Sequence, residues 1–236
     1  MKPENDISIE DEVLHKTEGD KPAVSSAVIH RLPRYFRYLR ELIRMGKTRV
    51  SSAELSRMMN VTASQIRQDL NCFGGFGQQG YGYNVNYLYT KICEILGVGE
   101  GYRAAVIGAG NLGTALVRSP MFENRGVDVV AMFDVAENLI GKQIGQAKIY
   151  HVDQIEEIFD SFGIDIAILT CPKASALEIS EKLKHTSVRG IWNFTGKELG
   201  LSESAIAVED VHIGDSLMIL CYDILSKEKE EDNSDK

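Results

Sequence analysis

Three glycines and one aspartate stand at spacings suited to holding a dinucleotide. Gly108-Ala109-Gly110-Asn111-Leu112-Gly113 follows the apolar run Ala104 to Ile107 and opens onto a helical pattern. Gly108 permits a tight turn, Gly110 lets a pyrophosphate approach the backbone, and Gly113 lets the helix pack closely on the strand. The phosphates would meet the positive end of the helix that begins near Asn111. Asp134 ends the next apolar run, about 20 residues on, where a carboxylate accepts from the adenosine ribose 2′-OH. A 2′-phosphate would be repelled there, and Val135, Ala136 and Glu137 follow Asp134 in place of any cation. The expected cofactor is therefore NAD(H) rather than NADP(H). Thr170-Cys171-Pro172 and Asn193-Phe194-Thr195-Gly196 also follow apolar runs, so Pro172 and Asn193 are expected beside the bound cofactor.

A dehydrogenase needs a general acid or base near the nicotinamide. His15, His30, His151, His185 and His212 are scattered, and none is placed for that work. Only about 28 residues follow Val208, too few for a substrate domain. No catalytic set is expected. Cys72, Cys93, Cys171 and Cys221 form no CxxC pair, so neither a zinc site nor a disulfide framework is expected. Buried free thiols are the reading.

The segments around this motif alternate strand and helix. Strands are expected at 103–107, 127–134, 149–151, 166–170, 188–193 and 206–208, with helices at 112–118, 152–162, 174–185 and 214–225. The strands are continuous apolar runs, as in a parallel sheet covered on both faces. The fold class is α/β, with a Rossmann domain over 98–211.

A second chemistry lies upstream. The whole chain has a net charge of −8, but residues 26–90 hold nine Lys/Arg against three Asp/Glu. A basic module inside an acidic protein suits a polyanion. A helix is expected from Arg31 to Met45, with Pro33 in its first turn. Ser51 and Glu54 form one capping box and Thr62 and Gln65 a second, so two short helices flank a turn at Asn60-Val61. The glycine-rich run Gly74 to Tyr83 reads as a wing, and a further helix runs from Asn84 to Gly97. This is a winged helix over 26–97. On its second short helix Ser64, Gln65, Arg67 and Gln68 can reach a base edge or a phosphate. Arg31, Arg34 and Arg37, with Ser51 and the wing's Gln78, are the remaining candidate DNA contacts.

Residues 1–25 hold three Lys/Arg against seven Asp/Glu and read as a disordered acidic tail. The start lacks an apolar signal stretch and no run of 18 apolar residues exists, so a cytoplasmic protein without a membrane span is expected. The helix within 212–226 is too apolar to stay in water. It packs either on its own sheet or across a dimer. Residues 227–236 form a charged tail expected to fray. Two competing readings remain. A small oxidoreductase with a basic appendage would need an acid or base at the nicotinamide. A DNA-binding protein whose Rossmann unit only dimerises would not need the intact glycine signature.

Taken together, Arg31-Leu32-Pro33-Arg34-Tyr35-Phe36-Arg37-Tyr38-Leu39, Ser51 to Leu55, Ile66-Arg67-Gln68-Asp69-Leu70, Gly82-Tyr83-Asn84-Val85, Gly108 to Gly113, Phe133-Asp134-Val135 and Tyr150-His151 resemble the Rex family of bacterial redox-sensing transcriptional repressors. The resemblance covers about residues 27–225. It implies a homodimer on palindromic operator DNA, released by NADH and permitted by NAD⁺, with a C-terminal helix domain-swapped between subunits. It also implies a nicotinamide that is sensed rather than turned over. The chain departs from the family pattern in three places. Gln68 stands where lysine is common. Gly75, Gln78 and Gln79 stand where charged residues are common in the wing. Asp210-Val211-His212 replaces Asn-Val-Asp. The first two weaken attraction to phosphate.

Overall fold

The computed structural model describes residues 25–73, 77–78 and 81–234. Most of the expected acidic tail, Gly75 and Gln79 of the wing, and the last two residues lie outside them. The chain divides into two compact units, one ending at Gly97 and the other beginning at Val98.

In the first unit, α1 (Ser26–Arg44) starts earlier than expected and places Pro33 inside the helix. Proline there removes a backbone donor. The buried face formed by Val28, Leu32, Tyr35, Phe36, Leu39 and Leu42 holds the helix regardless. Then come β1 (Arg49–Val50), α2 (Ser52–Met59) and α3 (Ala63–Asn71). The Ser51–Glu54 capping box forms in full. At Thr62 only half a box forms: its hydroxyl accepts from the Gln65 N–H over 3.1 Å, while the Gln65 side chain turns to Asp69. Asn60 closes α2 in the left-handed region at φ 49°, making the tight turn between the two helices. Strands β2 (Gly77–Gln78) and β3 (Gly82–Asn84) form the base of the wing, in the order β1-β3-β2. Gly82 has φ +69°, and a Cβ there would lie 2.7 Å from the Val50 carbonyl oxygen, so only glycine lets β3 approach β1. Helix α4 (Val85–Leu96) buries Val85, Leu88 and Ile92.

The second unit is a seven-stranded sheet. Its elements are β4 (Tyr102–Ile107), α5 (Asn111–Val117), β5 (Val127–Asp134), β6 (Gln143–Ile144), β7 (Ala147–His151), α6 (Ile155–Phe162), β8 (Ile166–Leu169), α7 (Ala176–Leu183), β9 (Gly190–Asn193), β10 (Ala207–Asp210) and α8 (Ile213–Ser234). The strand order is β10-β9-β8-β4-β5-β7-β6, parallel except for the antiparallel β6–β7 pair. Leaving out β6, this is the doubly wound order in which the chain reverses direction between β4 and β8, opening a crevice at the strands' carboxyl ends. Apolar layers cover both faces: Ile107, Phe133, Phe159 and Leu183 on one, Val106, Met132, Phe122 and Ile168 on the other.

One element was not foreseen and two expectations need correction. Strand β6 is only two residues long and carried no signal in the sequence. The four cysteines are free, but Cys72 and Cys221 are exposed and Cys93 and Cys171 half-buried. Helix α8 continues through the charged end that was expected to fray. Its apolar residues do not pack on their own sheet, and Leu217, Met218, Ile219 and Tyr222 are each more than 60% exposed.

Candidate nucleotide site and nucleic-acid interface

The glycine loop occupies the switch point between β4 and β8. Gly108 has φ +107°, and a Cβ there would lie 2.8 Å from the backbone of Thr170 and Cys171. A Cβ on Gly113 would lie 2.0 Å from the Gly108 carbonyl oxygen. Both glycines are demanded by packing. Gly110 is different. Its φ of −73° suits any residue, and nothing lies within 4 Å of where its Cβ would be. Neither backbone nor packing requires glycine at this position. What the missing side chain leaves is room above the loop. Gly110 is also the N-cap of α5 and offers no side-chain cap, so the amides of Asn111, Leu112 and Gly113 keep capacity for an anion.

Around this loop lies a cleft of about 470 Å³, lined by Gly108, Gly110, Phe133, Asp134, Val135, Thr170, Cys171 and Pro172 among others. Asp134 Oδ2 accepts from the Ala109 N–H over 2.7 Å and Oδ1 from the Ala136 N–H over 2.9 Å. Thr170, the residue after β8, donates its hydroxyl to the Gly108 carbonyl over 2.9 Å and anchors the loop. Burial pushes the Cys171 thiol up from its ordinary value, so the lining thiol is held neutral. Pro172 lines this cleft. Asn193 does not line the cleft: it is 1% exposed, and its amide is spent on Asp210, Lys197 and Thr195. Among the described residues no group of His, Cys, Asp and Glu is placed to hold a metal ion, and no helix is long and apolar enough to cross a membrane.

On the first unit, the candidate DNA contacts separate into two sets. Ser64, Arg67, Gln68 and Arg37 are exposed. Arg67 Nη1 donates to the Ser52 hydroxyl over 3.3 Å, which steadies the guanidinium against α2. Arg31, Arg34, Ser51 and Gln65 are spent on the protein's own groups. Arg31 makes two bonds to the buried Asp69, at 2.8 and 2.6 Å, and Gln65 and Tyr35 donate to the same carboxylate. Arg34 donates to the Met59 carbonyl at the end of α2. The Ser51 hydroxyl caps α2. Gln78 lies in β2. Burial alone would raise the Asp69 carboxyl, but the bonds from Arg31, Gln65 and Tyr35 outweigh it and hold it below its ordinary value. Burial, then the bond to Asp69, pushes the Tyr35 phenol up. Sequence reasoning missed this network because a lone Asp69 on α3 reads as a surface residue. The signal available was its place, three residues after Ile66 and just before Leu70, on the apolar face.

A winged helix and a dinucleotide-type cleft in one chain define a class: DNA-binding regulators that respond to a nucleotide. The family model described as "Putative DNA-binding protein N-terminus" matches residues 23–71, and that described as "CoA binding domain" matches residues 100–196. The redox-sensing transcriptional repressor Rex of Clostridium beijerinckii is 47% identical over 84% of this chain and 94% of its own length. That of Caldicellulosiruptor saccharolyticus is 43% identical over 89% and 97%. Crystal structures of RSP, a Rex-family repressor, are also similar. The complex with β-NAD⁺ and operator DNA has a TM-score of 0.81 at 43% identity, covering 90% of this chain and 98% of that one. The complex with β-NADH has a TM-score of 0.82 at 40% identity, covering 89% and 98%. The chain belongs to the Rex family of redox-sensing transcriptional repressors.

Proposed function

We propose that the protein is a homodimeric repressor that binds palindromic operator DNA and lets go when NADH occupies its Rossmann cleft. The observation that carries the nucleotide half is Gly110, a glycine that neither backbone strain nor packing explains. CoA and NAD(H) share an ADP half that this loop could hold, but CoA carries a ribose phosphate. Asp134 beside the ribose disfavours that phosphate and favours NAD(H) over NADP(H) and CoA alike. Gly108 to Gly113 would cradle the pyrophosphate, Asp134 would take the ribose hydroxyl, and Pro172 would face the nicotinamide half.

NAD⁺ and NADH supply a nicotinamide ring that differs in charge and planarity, and the protein reads this difference without transferring hydride. The ionisable groups of the cleft lining, Asp134 and Cys171, support that reading: the first is committed to two backbone amides and the second is held neutral. Ser64, Arg67 and Gln68 on α3 would enter the major groove, with Arg37 on phosphate. The exposed apolar residues of α8 support a dimer, since burial against a second copy returns roughly 25 cal/mol per Å². Exchange of α8 between subunits is the arrangement we favour. The site of action is the cytoplasm, where operator and nicotinamide pools meet.

The test is fluorescence anisotropy of a labelled palindromic operator, with sizing by light scattering. NADH should release the operator while NAD⁺ does not, and a chain cut before Gly214 should lose dimerisation or the response. Release by neither nucleotide, or a truncated dimer that still responds, would count against the reading.

A further inference from the structure

Asn193 ends β9 and is buried, and its amide is fully committed. One N–H bond goes to Asp210 Oδ1 over 2.6 Å and the other to the Lys197 carbonyl over 2.9 Å. Its Oδ1 accepts from the Thr195 N–H over 3.0 Å and from the Thr195 hydroxyl over 2.7 Å. These four bonds use both donors and both lone pairs of a side-chain amide. Nothing is left over for a ligand, so contact with the cofactor is not what this residue is built for.

Its surroundings indicate another role. The Asn193 carbonyl accepts from the Val211 N–H over 2.8 Å. The last residue of β10 and the one after it, on the short path into α8, are thus tied to Asn193, Asp210 by its side chain and Val211 by its backbone. On the other side, the Phe194 N–H donates to the Leu169 carbonyl over 2.9 Å. Leu169 precedes Thr170, whose hydroxyl holds the glycine loop. A continuous run of bonds joins the loop under the cofactor to the start of the exposed apolar helix. Asp210 itself is exposed, on a strand exposed along its length, so the hydrophobic core does not require its carboxylate.

We propose that Asn193 is a positioning residue whose hydrogen bond to Asp210 couples the state of the cleft to the placement of α8. A carboxylate bound to a buried amide is a charge-assisted bond, and losing it leaves a buried N–H without an acceptor. A shift at the end of β9 must therefore either carry α8 with it or break the bond. Close-packed interiors favour two discrete arrangements over gradual deformation. This inference rests on the redox-responsive reading above.

The test uses the full chain and two substitutions at the exposed position. Asp210→Ala removes the acceptor, and Asp210→Asn restores one through its amide oxygen. Operator affinity is measured at saturating NAD⁺ and at saturating NADH, with NADH affinity measured separately by calorimetry. In the wild type the ratio of the two operator affinities should fall in the range of about 5–150-fold typical of coupled sites. In Asp210→Ala that ratio should shrink to within about twofold of unity while NADH affinity stays within about twofold of wild type. Asp210→Asn should recover the ratio. A wild-type ratio in Asp210→Ala, or equal loss in both variants, overturns the coupling role of the bond. A wild-type protein whose operator affinity ignores NADH overturns the redox-responsive reading itself, and this inference with it.

Discussion

The backbone N–H of Ala109 donates to Oδ2 of Asp134 over 2.7 Å, so the carboxylate at the end of β5 holds the glycine loop at the end of β4. One side chain thus shapes the glycine loop and, in the proposed reading, would present negative charge to the ribose. Wild-type protein should bind NADH at least about tenfold more tightly than NADPH, a difference of about 1.4 kcal/mol. Asp134→Asn keeps one acceptor but turns an NH₂ toward one of the two backbone donors. It should weaken NADH and narrow the gap between the cofactors. Calorimetric titration checks both, and equal wild-type affinities would remove the assigned role of Asp134.

Gly110 and Gly113 should respond differently to the same change. Gly113→Ala drives a methyl into the Gly108 carbonyl. The loss should be at the upper end of, or above, the ~1–3 kcal/mol usual for overpacking, because a backbone atom is the obstacle. Gly110→Ala meets nothing and should leave the melting temperature almost unchanged while NADH binding drops sharply. Thermal melts beside NADH titrations separate the two. Tight NADH binding by Gly110→Ala would mean that the pyrophosphate lies elsewhere.

Arg31 and Arg67 are both arginines of the basic module, but they should fail in different assays. Arg31→Met leaves the buried Asp69 carboxylate with its bonds from Gln65 and Tyr35 but without a cation, a loss of roughly 3–5 kcal/mol in stability. Arg67→Ala should leave stability nearly untouched and cost about 1–3 kcal/mol in operator affinity if the guanidinium reads a base. Chemical denaturation and mobility shifts distinguish them. An equal loss on random DNA would make Arg67 a phosphate contact.

Acid should weaken the first unit through two carboxyls. The bond from Lys47, then the Ser51 N–H, holds Glu54 down to about 2, and Asp69 also lies below its ordinary value. Groups depressed in the folded state stabilise it above their unfolded values near pH 4, and that contribution fades as pH falls through the folded values. The melting temperature should be level from pH 7 to about pH 5 and fall from about pH 4 toward pH 2. Glu54→Gln should flatten part of that fall in a circular dichroism series. An unchanged slope would mean that the cap contributes nothing to acid sensitivity.

The periodic features were legible in the sequence. Continuous apolar runs gave β5 at its observed bounds, Gly108 to Gly113 marked the loop, and Ser51 with Glu54 marked the start of α2. Features that depend on what an element meets in space were not legible. Pro33 suggested a helix start, but the buried face of α1 extends the helix beyond it. Arg31 and Gln65 read as outward-facing until Asp69 is found buried between them. Asn193 sits at the expected strand end, yet its amide is consumed by Asp210, Lys197 and Thr195. An amide reads the same in sequence whether its bonds go to a ligand or to its own chain.

By the proposed reading, this chain converts the NADH/NAD⁺ ratio into operator occupancy. The most direct measurement holds total NAD(H) constant and saturating, varies the reduced fraction, and follows operator anisotropy together with the fluorescence of Trp192, the only tryptophan. Occupancy should fall as the reduced fraction rises. The midpoint should stay at the same ratio when total nucleotide is doubled, since both forms compete for one cleft. Occupancy indifferent to the ratio, or a midpoint that tracks total nucleotide instead, would contradict that reading.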